Sequence, residues 1–187
     1  MRRARTEMDH EVMSGTLTEI PALPVLLPLA AVLMLAAWWR WRRTPSRLIA
    51  GLAMAGYVTA VVAVTLLPLQ IATGDHANRL PWYEKASLLP VVTIDAVTFV
   101  ANIVMFLPFG ALLPMLTRIA TVRQIALASL AASTVIELVQ FATNVLVSSG
   151  RTADVNDLLA NTLGGVLGFV AWRALSVRLV RTRVGRG

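Results

Sequence analysis

The 187-residue chain has no cysteine, one lysine, two histidines and two tyrosines. Without cysteine, disulfides, thiolate metal ligands and cysteine nucleophiles are excluded. The two histidines, His10 and His76, lie off the expected helices. Charge is scarce: 14% of residues are Asp, Glu, Lys or Arg, against about 25% in soluble domains. What fills the space is apolar, at 57%. This is the composition of an all-α, multi-pass protein of the cell membrane.

Five uncharged or nearly uncharged runs are long enough to span, at about 20 residues each. They are expected at Ile20–Trp39, Leu48–Leu67, Ala96–Thr117, Gln124–Val147 and Val155–Leu175. Residues 1–19 are polar, mixed in charge and expected to form a mobile tail. An apolar core directly after the first arginines, the mark of a signal peptide, is missing. Residues 20–47 supply an additional first helix and a basic loop, 48–175 the main membrane domain, and 176–187 a basic tail. Pro21, Pro24 and Pro28 place the start of regular helix near Val25. Pro108 and Gly110 predict a bend at F-L-P-F-G. Gly51, Ala55 and Thr59 recur every four positions, a spacing that suits close helix packing. In the loop at 70–95, Trp82 and Tyr83 read as interface anchors. His76 reads as a solvated residue, and Leu88 to Ile94 as a segment that lies on the surface or re-enters.

Charge placement orients the chain. The loop at 40–47, the turn at 118–123 and the region from Arg173 onward hold eleven arginines and no acid. The opposite side holds six basic residues and all ten acids. Arginine-rich loops stay in the cytoplasm, so the N-terminus is expected outside and the C-terminus inside. The net charge of +7 then reflects topology and attraction to anionic membrane lipids. No nucleic-acid-binding motif accompanies it.

Polar residues inside the spans are the candidate site. Glu137, Gln140 and Asn144 sit at i, i+3 and i+7 on one helix face. Asp157, Asn161, Gly164 and Gly168 share a face of the next helix. A carboxylate near mid-bilayer costs about 2.5–3.5 kcal/mol on insertion scales, so Glu137 needs protein or water beside it. Asn102, Glu137, Gln140, Arg151, Asp154, Asp157 and Asn161 would line a funnel open to the outside. Gly164, Gly165 and Gly168 read as close-packing positions. No metal and no cofactor is expected.

Four pieces in order carry a family resemblance: T-L-L-P (Thr65 to Pro68), N-I-V-M-F-L-P-F-G (Asn102 to Gly110), I-E-L-V-Q (Ile136 to Gln140) and R-T-A-D-V-N-D-L-L-A-N-T-L-G-G-V-L-G (Arg151 to Gly168). Over residues 52–175 the chain resembles the VanZ-like family, named for a teicoplanin-resistance protein. The resemblance implies a bacterial envelope membrane protein and, for some members, glycopeptide tolerance. It implies no mechanism.

Three readings of the polar residues follow. One is a site that binds or processes a lipid-linked or other envelope molecule, with Arg151 on a phosphate or carboxylate and Glu137 as a base. A second is a structural core, with Glu137 paired to Arg151 and the amides bridging helices. A third is a small proton-linked transporter or channel. Whether the chain is an enzyme stays open, because no nucleophile stands beside Glu137.

Overall fold

The computed structural model describes residues 15–87 and 95–184. The first fourteen residues, the Leu88–Ile94 segment and the last three residues lie outside the described residues, and so do the expectations placed on them.

Five helices form: α1 (Ala22–Trp41), α2 (Pro45–Leu66), α3 (Ala96–Leu116), α4 (Val122–Val147) and α5 (Val155–Val184). Each has a stretch long and apolar enough to cross a membrane; in α5 it is Val155–Val177. Their starts follow from capping chemistry. α1 begins at Ala22, earlier than expected, because Pro21 is its N-cap and Pro24 falls in the first turn, where backbone N–H groups have no intrahelical partner to lose. α2 likewise starts early, with Pro45 in the first turn. Asp95 caps α3 by accepting from Thr98 N at 3.1 Å and from the Thr98 hydroxyl. Those two bonds hold its carboxyl below the usual aspartate range. α4 opens on a capping box between Thr121 and Gln124 and ends at Ser148 in the left-handed region. α3 is continuous helix through Pro108 and Pro114.

Two short ladders tie the connections together. β1 (Leu17–Ile20) pairs antiparallel with β2 (Leu69–Ala72), so the residues next to α1 belong to a ladder and not to a mobile tail. Thr16 and Thr73 extend it through a hydroxyl pair at 2.9 Å. β3 (Ala86–Ser87) runs parallel to β4 (Ala153–Asp154). This second ladder fastens the loop after α2 to the entrance of α5. His76, expected to be solvated, is half-buried.

The core lies among α3, α4 and α5, around Phe106, Ile125, Ala160 and Phe169. α3 and α5 approach backbone to backbone. A methyl group added to Gly164 would strike the Ile103 carbonyl, one on Gly168 the Leu107 carbonyl, and one on Gly110 the Gly165 carbonyl. Gly165 itself faces the Ser129 hydroxyl of α4. Small residues permit this approach where apolar burial between helices gains little over lipid. At the α1–α2 contact, Gly51 packs under Trp41 and Ala37. Ala55 continues that buried line, whereas Thr59 turns back to the Ala55 carbonyl at 2.9 Å.

Candidate functional site

One face of α4 is buried along its length: Ile125, Ser129, Ser133, Glu137, Gln140 and Asn144. The spacing is four residues with one step of three, the period of a helix side. Polar groups therefore run down the middle of the bundle, and two separate clusters grow from them.

The first is acidic. Glu137, 7% exposed, accepts the Asp154 backbone N–H on Oε2 at 2.9 Å. Asp154 in turn accepts from Asn156 N at 2.8 Å and Asn156 Nδ2 at 2.9 Å through Oδ1, which caps the first turn of α5. Asp154 and Asp157 lie within electrostatic reach of Glu137. Asn102 of α3 faces Asp157 without reaching hydrogen-bond geometry. About a turn deeper, Asn161 Nδ2 donates to Ser133 Oγ at 2.8 Å. Among the described residues, none of these carboxylates forms an ion pair with a basic side chain. Nor does any group of three or more His, Asp or Glu side chains there suit a metal ion.

The second cluster holds the end of α2. Gln140 Nε2 donates to the Thr65 carbonyl at 3.1 Å. Arg151 donates to the carbonyls of Val64 at 3.3 Å and Leu67 at 3.2 Å. These carbonyls are orphaned by helix termination, which is why cations and amides settle there. Arg151 is thus not the partner of Glu137, and the ion pair of the structural reading is not formed. Gly150, at φ +74°, provides the left-handed residue of the turn that carries Arg151 to α2.

The sequence did not single out Lys85 as a site residue. It is 6% exposed, and its ammonium donates to the Asn144 carbonyl at 3.4 Å, in the last turn of α4. A cation suits a helix C-terminus, and here it pins the interfacial loop to α4. Lone lysines in loops carry no signal of this kind in the sequence.

Between that loop, α4 and the start of α5 lies a cavity of about 290 Å³. Glu137 and Asp154 stand in its wall, with Trp82, Tyr83, Phe141 and Leu158. Leu138 also lines it and is 61% exposed on the outer surface of α4.

Fold and site together define a polytopic helical membrane protein with one buried carboxylate, Glu137, and two half-buried ones, Asp154 and Asp157, around the start of α5. The VanZ/LLP1 family model matches residues 54–176, and the chain belongs to that family. Curated proteins give no match, and neither do solved structures.

Proposed function

We propose that this protein binds the headgroup of a membrane amphiphile, such as a lipid-linked envelope molecule, in the cavity beside Glu137 and Asp154. The observation that carries this reading is an apolar cavity whose wall includes Glu137, Asp154 and the outward-facing Leu138. An acyl chain can stay in lipid while the headgroup reaches Glu137. The buried amides Asn102, Gln140, Asn144 and Asn161 lie outside the cavity wall and fit the interhelical role instead.

The expected test is native mass spectrometry of protein taken from its own membrane. Wild type should retain an amphiphile, and Leu158→Trp, which fills the cavity, should release it while keeping its melting temperature. Equal retention by the filled variant refutes this site.

We also propose that the cavity faces outside, following the arginine distribution. The absence of cysteine makes labelling free of background. Glu84→Cys should react with an impermeant maleimide in intact cells, and Arg118→Cys only after permeabilisation. The reverse pattern inverts the topology.

A further inference from the structure

We infer that the headgroup taken by this cavity is cationic, an amine or quaternary ammonium, and not a phosphate; the inference rests on the amphiphile reading above. Charge is the first argument. Among the described residues, the lining includes two acids, Glu137 and Asp154, and no arginine, lysine or histidine. The two cations nearest in sequence are directed elsewhere. Arg151 is held by the Val64 and Leu67 carbonyls, and Lys85 by the Asn144 carbonyl. An anionic headgroup would enter against like charge with no counter-ion, whereas a cation meets opposite charge where lipid and protein exclude water.

The second argument is the unused acceptor. Glu137 spends Oε2 on the Asp154 N–H, and no described donor reaches its other oxygen. A carboxylate oxygen with no protein donor is free to meet a cation, and this one belongs to a residue in the cavity wall.

The third argument is aromatic. Trp82 and Tyr83 stand edge to face, 5.8 Å between centroids and 83° between planes, so two ring faces meet at a corner. Phe141 lies on the same cavity. Ring faces attract cations electrostatically, tryptophan most strongly, and quaternary ammonium groups are recognised in this manner. Carboxylates beside aromatic faces make a site for N⁺ rather than for phosphate.

The test uses three photoreactive amphiphiles with one alkyl chain and different heads: trimethylammonium, phosphate and uncharged maltosyl. Each is titrated onto the purified full chain in phosphatidylglycerol nanodiscs, and crosslinks are mapped. The ammonium probe should label the segments around Trp82 and Phe141 saturably, with at least about tenfold preference over phosphate. Glu137→Gln and Trp82→Leu should each weaken that labelling by about five- to tenfold and leave maltosyl labelling unchanged. Trp82 is 65% exposed, so its replacement keeps the fold and controls for the buried change. Equal saturable labelling by all three probes, or preference for phosphate or maltosyl, overturns the charge inference and leaves the amphiphile site standing. No saturable labelling by any probe removes both.

Discussion

Gly164→Leu and Gly110→Leu should each lower the stability of the folded bundle by about 3 kcal/mol or more, at the upper end for overpacking. At both positions the obstacle is backbone: the Ile103 carbonyl for Gly164 and the Gly165 carbonyl for Gly110. A side chain in the way can rotate; a carbonyl inside a helix cannot, so α3 and α5 must separate. Separation forfeits dispersion contacts along the whole helix pair, with no compensating gain from apolar burial in lipid. Gly165→Ala should cost less than either, since the nearest atom there is the Ser129 hydroxyl at the end of a side chain. Gly56→Ala is the control. Nothing lies within 4 Å of its added methyl, so stability should hold or rise by up to about 1 kcal/mol from helix propensity. Thermal melts of the purified variants decide the matter. Wild-type melting of Gly164→Leu would mean that α3 and α5 do not pack through these glycines.

At Glu137, charge and hydrogen bonding can be separated. Glu137→Gln keeps an oxygen for the Asp154 N–H and removes one of three neighbouring carboxylate charges. Its stability should match wild type within about 1 kcal/mol. Glu137→Ala leaves the Asp154 N–H without its acceptor and should cost about 2–4 kcal/mol, from the unsatisfied donor and the space left behind. Arg151→Ala should cost about 1 kcal/mol through its lost bonds to the end of α2. Because Arg151 and Glu137 share no partner, the double variant Glu137→Gln with Arg151→Ala should be additive within about 0.5 kcal/mol. A coupling above that would restore the ion pair. Function should divide differently. If the carboxylate meets a ligand, Glu137→Gln loses the envelope phenotype, scored as glycopeptide sensitivity, while remaining folded. A fully active Glu137→Gln would make Glu137 structural.

The number of spans was legible because it depends only on run length and charge. A bilayer accepts about 20 apolar residues, and each of the five runs reports itself without knowledge of its neighbours. The faces were legible too. Helical period places Glu137, Gln140 and Asn144 together, and burial of all three follows from the cost of leaving them in lipid. The glycines at 164, 165 and 168 announced a close contact, and the family pieces marked the segments that meet.

Partner choice was not legible, because it depends on which loop ends arrive together in space. Sequence proximity to the acids made Arg151 a natural partner for Glu137, yet the turn at Gly150 carries it to the carbonyls of α2. The two small ladders, four and two residues per strand, are too short to show a period of two. The burial of Lys85 follows from the β3–β4 pairing and the exposed end of α4, neither of which its own neighbours encode. The chain's local chemistry therefore determined the membrane architecture and the polar faces. Only the tertiary structure decided which groups those faces meet, because hydrogen-bond partners and cavity walls come from segments as far as 87 residues apart.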